Sequence, residues 1–461
     1  MPASQVVREP WSGDEVGRVE LADDARALEA ARVAERAFAL YATRTNYERK
    51  VHLARIAQEI ESRHEAFAEL IAREAGKPIA LARTEVARAV TTFQIASEEA
   101  VRLYGEVMPL DITPTTRGYT GSWTRVPRGP VLGISPFNFP LNLVAHKVAP
   151  ALACGCTIVL KPPPQAPLTS LLLAECIRHS GTPDGVVQVL PCGNEVAEKL
   201  VRDDRFATLS FTGSAKVGWH LKGIAGKKHV LLELGGNAAV VLHGDAPVAW
   251  ACDRVVSGAF GYAGQVCIKV QRLYVHRSID AAVLDRIVTA ARAIEPRSPL
   301  DPASLCGPMI DQANAERVEA WVEEARVAGA RVLAGGRREG NRYWPTVLAF
   351  DGDGRGTKVV DEEVFGPVLT VHRYDSWDEA LTMVDGTRYG LQAGIFTDSR
   401  ARVAEAFARL HVGALVVNDI PTFRVDSMPY GGTRDSGFGR EGVRFAIEEM
   451  TERKLLVVRE G

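Results

Sequence analysis

The stretch Val131-Leu-Gly-Ile-Ser-Pro-Phe-Asn-Phe-Pro140, and beyond it Thr157-Ile-Val-Leu160, decides the fold. Each opens on a short apolar or β-branched run of strand length, too short for a helix. Val186-Val-Gln-Val-Leu190 and Thr208-Leu-Ser-Phe211 repeat the pattern, and Leu168 to His179 and Val196 to Val201 between them read as helices. Strands alternating with helices make a parallel sheet wrapped by helices. Upstream, Ala22 to Tyr41 and Tyr47 to Arg73 carry apolar residues at three-to-four spacing and read as amphipathic helices. Gly76-Lys77-Pro78 stops the second, and Thr84 to Leu103 resumes the pattern. A second alternating series begins after Asn237. Its expected strands are Ala238 to Leu242, Leu273 to His276, Val368 to Tyr374, Ala393 to Phe396 and Ala414 to Asn418. Its expected helices are Ala281 to Ile294, Asn314 to Ala328 and Arg400 to Leu410. Two α/β lobes meeting over a cleft account for this order.

Bulk properties narrow the function. At 461 residues the chain is long for one core and comfortable for two or three lobes. Its 55 basic residues against 57 acidic ones give a formal net charge of -2, so nothing calls for nucleic acid or an anionic membrane as partner. Met1 to Glu20 has no apolar run of signal-peptide type. Val131 to Leu160 is the most apolar region, but Pro136, Pro140, Asn142, His146, Lys147 and Pro150 interrupt it too often for a membrane span. An odd count of seven cysteines fits a reducing compartment, and the expectation is a cytoplasmic protein. Cys154 and Cys156 lack the second ligand pair of a zinc site, so no metal is expected.

Four segments offer chemistry. Phe260-Gly-Tyr-Ala-Gly-Gln-Val-Cys267 sets a thiol in a glycine-containing turn, where amide N–H groups would face an oxyanion. Alone, it better suits a buried structural cysteine in a glycine-containing turn. Leu231-Leu-Glu-Leu-Gly-Gly-Asn237 holds Glu233 between leucines, a costly place for a carboxylate unless it is poised as a base or reaches solvent at a strand end. In Ser135-Pro-Phe-Asn-Phe-Pro140 two prolines fix the backbone around Asn138, whose amide suits an oxyanion or merely a turn. Phe211-Thr-Gly-Ser-Ala-Lys-Val-Gly218 runs from a strand into a helix N-terminus able to receive a pyrophosphate, though it is not the G-x-G-x-x-G pattern.

Taken together and in order, these segments resemble the aldehyde dehydrogenase superfamily along essentially the whole chain. The motifs are Pro136-Phe-Asn-Phe-Pro140, Leu160-Lys-Pro162, Phe211-Thr-Gly-Ser214, Leu232-Glu-Leu-Gly-Gly236, Gly264-Gln-Val-Cys267 and Glu362-Glu-Val-Phe-Gly-Pro367, with Pro429-Tyr-Gly-Gly432 and Ser436-Gly437 near the end. The branch with lactaldehyde, phosphonoacetaldehyde and non-phosphorylating glyceraldehyde-3-phosphate dehydrogenases is the most similar in pattern. Arg125-Val-Pro-Arg-Gly129, Lys161-Pro-Pro163 and Asn418-Asp-Ile-Pro-Thr422 carry that likeness.

The resemblance implies an α/β aldehyde dehydrogenase fold. A Rossmann-like nucleotide-binding lobe would take residues 1–107 and 128–235, an α/β catalytic lobe 236–450, and a small β oligomerisation extension 108–127 and 451–461. It implies oxidation of an aldehyde to a carboxylic acid with NAD(P)+. Cys267 would be the nucleophile, Glu233 the base that hydrolyses the thioester, and Asn138 with the Cys267 N–H the oxyanion hole. Ile134, Ser135, Pro136, Lys161 and Pro164 would meet the dinucleotide, as would Phe211, Thr212, Gly213, Ser214 and Val217. Leu234, Gly235, Glu363 and Phe365 would complete its site. Phe139, Val266, Arg117, Phe423 and Arg424 would face the substrate, a small aliphatic, hydroxy- or semialdehyde. Pro164 stands where many NAD-preferring members have a glutamate, so NADP is admissible beside a favoured NAD. Val266 stands where members acting on phosphorylated aldehydes often place a basic residue, which speaks against a doubly charged substrate. A homodimer or homotetramer is implied. The alternatives are a CoA-acylating semialdehyde dehydrogenase and a non-catalytic scaffold. The glutamate at 233 argues against the first and the complete residue set against the second.

Overall fold

The structure, a computed structural model, describes residues 3–459. Met1, Pro2, Glu460 and Gly461, which the expected lobe boundaries included, lie outside the described residues. The first parallel sheet runs in the order His229–Glu233, Thr208–Thr212, Val131–Ile134, Ile158–Lys161, Val187–Val189. A short antiparallel strand, Gly437–Phe438, closes its edge. The chain leaves the Val131 strand in one direction and returns on its other side at Thr208. The order therefore reverses between these two strands, and ligands of open α/β sheets bind in the crevice beyond the carboxyl ends at such a point. Those ends are Ile134 and Thr212.

The second sheet has seven strands in the order Arg331–Ala334, Thr346–Ala349, Val368–Tyr374, Arg272–His276, Ala239–Leu242, Gln392–Phe396, Ala414–Val417. Only the Arg331 strand is antiparallel. A third sheet of three antiparallel strands joins Glu106–Pro109, Tyr119–Pro127 and Thr451–Arg459, with the Tyr119 strand in the middle. Along the Thr451 edge strand Leu455, Leu456, Val457 and Val458 are 43–62% exposed. Successive residues face opposite sides of a sheet, so both faces of this edge are apolar and uncovered.

The helices depart from the sequence reading in instructive places. The expected Tyr47 to Arg73 helix is two, Asn46–Ser62 and His64–Ala75, broken at Arg63. The next helix starts at Ile79, directly after Pro78, rather than at Thr84. A hairpin, Ser4–Arg8 with Glu15–Glu20, opens the described chain, and the helices Val248–Phe260 and Trp377–Asp385 were not anticipated. The proline-interrupted stretch contains a 13-residue helix, Asn142–Cys154, buried at every position despite Pro150. At about 20 Å it is too short to span a bilayer, and its polar residues face the site described next.

Candidate active site

After the Val248–Phe260 helix the chain takes three successive left-handed residues, Tyr262 (φ 54°), Ala263 (φ 51°) and Gly264 (φ 65°). Non-glycine residues in that region cost about 1–3 kcal/mol each. A Cβ at Gly264 would lie 2.3 Å from the Gly366 carbonyl oxygen, so only glycine fits. The turn is fastened by Gln265, whose amide donates to the Pro308 carbonyl at 3.2 Å and accepts the Ile310 N–H at 2.8 Å. Cys267 follows. It is the one cysteine of seven that is not fully buried. Its Sγ lies 3.2 Å from the Tyr430 hydroxyl. Burial pushes the thiol up to about 11, and the Tyr430 hydrogen bond pulls the other way. Among the described residues the Cys267 N–H meets no backbone acceptor. Asn138 donates through Nδ2 to the Gln265 carbonyl at 3.0 Å, which fixes its amide beside the Cys267 loop.

Glu233 ends the His229 strand, buried to 4% exposure, and its Oε2 has no hydrogen-bond partner among the described residues. Burial, and then the charge of Glu441, raise its carboxyl well above the usual range, against Arg424, Lys147 and Arg440. Two close approaches bring it to Cys267. A Cβ at Gly236 would lie 3.2 Å from the Cys267 carbonyl oxygen, and one at Gly431 would lie 2.8 Å from Glu233 Oε1. Gly431 (φ 152°) is the residue after Tyr430. Successive residues thus touch the thiol and the carboxyl.

Behind this pair lies a buried ionic network. Lys147 donates to Ser210 at 3.0 Å, Thr212 at 2.7 Å and Glu441 at 3.2 Å. Arg424 holds the other Glu441 oxygen at 3.3 Å and stacks 3.7 Å from the Tyr430 ring centre. Asp426 receives Arg88 at 2.6 Å, Asn142 at 3.2 Å and His146 at 2.8 Å. Burial opposes its charge, but His146 and Arg88 hold its carboxyl far below the usual range. Lys77 is paired with Glu85, whose second oxygen accepts the Leu141 and Asn142 N–H groups. The Lys77 ammonium also sits 3.4 Å from the Phe139 ring centre.

The cleft in front of these groups has a cavity volume of about 230 Å³. Phe139, Val266, Cys267, Arg424 and Tyr430 line it together with Arg88 and Tyr262. The Arg424 side chain is 6% exposed, and its Nε has no partner among the described residues. Two residues expected at the substrate do not line this cleft. Arg117 is exposed, closing the turn Pro114–Thr116 that leads into the Tyr119 strand. Phe423 is 47% exposed, because the loop turns its neighbours Thr422 and Arg424 inward instead.

At the carboxyl ends of the first sheet's strands, donors stand unused among the described residues. Ser135, with Ile134 and Pro136 at the end of the Val131 strand, has a buried hydroxyl without a partner. Lys161 ends the Ile158 strand, buried, with no side-chain hydrogen bond or ion pair among the described residues, and burial lowers its ammonium. Thr212 and Gly213 lead from buried Phe211 into the helix Ala215–Ile224, and the exposed Ser214 does not cap it. Val217 is exposed in its first turn. Pro164 is exposed and accepts Gln5 through its carbonyl at 2.5 Å. Glu363 accepts the Gly236 N–H at 3.2 Å, beside Leu234 and Gly235, and burial raises it to about 7. Phe365, at φ 44°, packs edge-on to Phe137 at 5.9 Å. An orphaned hydroxyl, an unpaired ammonium and an uncapped helix start fit the diphosphate and ribose hydroxyls of a dinucleotide. Among the described residues no cluster of three or more His, Cys, Asp or Glu would hold a metal.

Residues 2–456 match the aldehyde dehydrogenase family. The chain belongs to this family. A 3-sulfolactaldehyde dehydrogenase of Priestia megaterium is 43% identical over 421 residues, 91% of this chain and 88% of that protein. The crystal structure of aldehyde dehydrogenase 21 from Physcomitrella patens, in complex with the reaction product succinate, superposes with TM-score 0.97 at 41% identity, covering 99% of this chain and 95% of that one. That of glyceraldehyde-3-phosphate dehydrogenase from Methanocaldococcus jannaschii, complexed with NADP, gives 0.95 at 35% identity over 100% of both chains. This aldehyde dehydrogenase is therefore an NAD(P)-dependent oxidoreductase that converts an aldehyde to a carboxylic acid. No described helix of the enzyme is long and apolar enough to cross a membrane.

The sequence reading did not single out Lys147, Glu441, Asp426, Arg88, Tyr430 or the Lys77–Glu85 pair. A signal for some of them was present. Asn142, His146 and Lys147 are polar residues in an otherwise apolar stretch, and buried polar groups need partners.

Proposed function

We propose that this enzyme oxidises a small aldehyde carrying one anionic group, a carboxylate or sulfonate, a few atoms from its carbonyl. The observation that carries this reading is Arg424, a buried guanidinium in the wall of the Cys267 cleft with an unpartnered Nε. Arg88, 25% exposed, lines the same cleft. The names of the similar proteins support it, since sulfolactaldehyde and succinate each carry such a group.

Cys267 attacks the carbonyl, and the Asn138 amide with the Cys267 N–H receives the oxyanion. NAD(P)+, when bound, would supply the hydride acceptor for oxidation to the thioester level. Glu233 then takes a proton from water, which hydrolyses the thioester and frees the thiol. A buried, unpaired carboxyl at Glu233 supports water over CoA as the acyl acceptor. Lys161 and Glu363 would hold the two riboses, Ser135 and the Gly213–Ser214 helix start the diphosphate, and Phe365 the nicotinamide ring. With no carboxylate at Pro164 to repel a 2′-phosphate, both NAD and NADP are accepted.

The assignment of residues 1–107 and 128–235 to nucleotide binding, 236–450 to catalysis and the remainder to assembly belongs to the same reading. The uncovered apolar edge at Thr451–Arg459 supports a homodimer or a dimer of dimers. Seven free cysteines support a cytoplasmic location.

The test is a panel of carboxylated, sulfonated and neutral aldehydes of matched length, with NAD+ or NADP+ and no CoA. Anionic members should exceed neutral ones in kcat/KM by about tenfold or more, the worth of one charge-assisted hydrogen bond. Equal values across the panel would overturn the substrate assignment, and a strict need for CoA would overturn hydrolysis.

A further inference from the structure

The cleft leaves a question about its own nucleophile. Burial disfavours the Cys267 thiolate, yet the proposed base is not its hydrogen-bond partner: Glu233 makes no side-chain hydrogen bond among the described residues. The thiol's partner is Tyr430, at 3.2 Å. Tyr430 is 3% exposed, and Cys267 is the only hydrogen-bond partner its hydroxyl has among the described residues. A buried phenol needs an acceptor, and a thiolate is a far better one than a thiol. Its position is set on two sides. Its backbone exchanges two hydrogen bonds with Glu441, at 3.0 and 2.7 Å. Its ring lies 3.7 Å under the Arg424 guanidinium, which draws electron density from the π face and makes the hydroxyl a stronger donor.

We propose that Tyr430 is a catalytic residue whose hydroxyl donates a hydrogen bond to the Cys267 thiolate, lowering the cost of ionising the nucleophile for its attack on the aldehyde. The inference rests on Cys267 being the nucleophile. In the attack, the sulfur lone pair that accepted the Tyr430 hydrogen becomes the new C–S bond, and the carbonyl π pair moves to oxygen. Tyr430 keeps its proton throughout; the thiol has already lost its own to water in the cleft. Besides Tyr430, the charged groups facing the sulfur are Glu363, Arg424 and Glu233. The two carboxylates oppose the thiolate and Arg424 favours it, so the hydroxyl adds to a finely opposed set.

Tyr430→Phe removes one oxygen and keeps the ring under Arg424. Its alkylation rate by iodoacetamide should be followed from about pH 7 to about pH 11.5, beside the native enzyme and Cys267→Ala, with thermal melting and dinucleotide titration to check the fold. The midpoint for Cys267 should move up by about one pH unit, so the variant should react about tenfold more slowly up to about pH 10, and the gap should narrow as the native rate levels off near 11. kcat/KM should fall by the same factor at neutral pH, with dinucleotide affinity unchanged. An unmoved midpoint, or an alkylation rate unchanged at neutral pH, would overturn the role of Tyr430. In either case an inactive Cys267→Ala leaves the nucleophile standing and the failure confined to Tyr430. An active Cys267→Ala would bring down the nucleophile and this inference together.

Discussion

Around Cys267 the cations of the buried network have acids: Lys77 has Glu85, Arg88 has Asp426, which also accepts His146, and Lys147 and Arg424 share Glu441, while Lys269 is held by the Val368 carbonyl. At the strand ends of the first sheet, among the described residues, Lys161 has no acid and Ser135 no acceptor. A charge in a dry interior is tolerated when paired, and an unpaired one is costly. The reacting end thus carries its compensation within the protein, whereas the dinucleotide end leaves donors for a ligand to satisfy. The comparison implies that substitutions at the first end cost turnover or aldehyde affinity, and those at the second cost dinucleotide affinity with kcat kept.

Cys267→Ala should give the largest effect, a loss of turnover of at least about 10⁴-fold with dinucleotide affinity unchanged, read by steady-state rates and fluorescence titration. Full activity would break the comparison at its centre. Glu233→Gln should slow deacylation by about 10²–10³-fold and leave a burst of reduced dinucleotide. Burial and Glu441 hold the Glu233 carboxyl high, and only its ionised form accepts a proton. The deacylation rate should therefore climb as pH rises through that raised value, and the Gln variant should lose the climb. Arg88→Gln should raise KM for an anionic aldehyde by about tenfold to a hundredfold while leaving a neutral one nearly unchanged. At the other end, Lys161→Met should weaken dinucleotide binding by about tenfold at constant kcat. Smallest is the effect of pH on that binding. Glu363 sits at about 7 and accepts ribose hydroxyls best when ionised. From about pH 6 to about pH 8 the dinucleotide Kd should fall by about fivefold, and Glu363→Gln should flatten the change.

The same contrast explains what was readable in the sequence. Cys267, Glu233 and Asn138 sit in segments of unusual composition, a thiol among glycines, an acid among leucines and an amide between prolines. The parallel strands were legible because burial on both faces makes them continuous apolar runs. Paired charges left no such mark. Arg88 lies on an amphipathic helix, where an arginine looks like solvated surface, and its acid Asp426 is 338 positions away. Glu441 and Lys147 are 294 positions apart. Their meaning exists only once the helix Asn142–Cys154 is laid against the Val443–Glu449 helix region and the Thr208 strand. The break at Arg63 was hidden for another reason: the apolar spacing continues on both sides of it, and only the backbone turns. The helix Trp377–Asp385 did carry a readable start, the Ser376 and Glu379 capping box.

Tyr430 touches the sulfur and Gly431 the carboxyl. Two adjacent residues joined by one rigid peptide plane cannot be displaced independently. The groups proposed for acylation and for deacylation therefore share a single mechanical reference. A shift of that plane misplaces both half-reactions at once, so the fidelity of the whole cycle is set by how firmly one dipeptide is held.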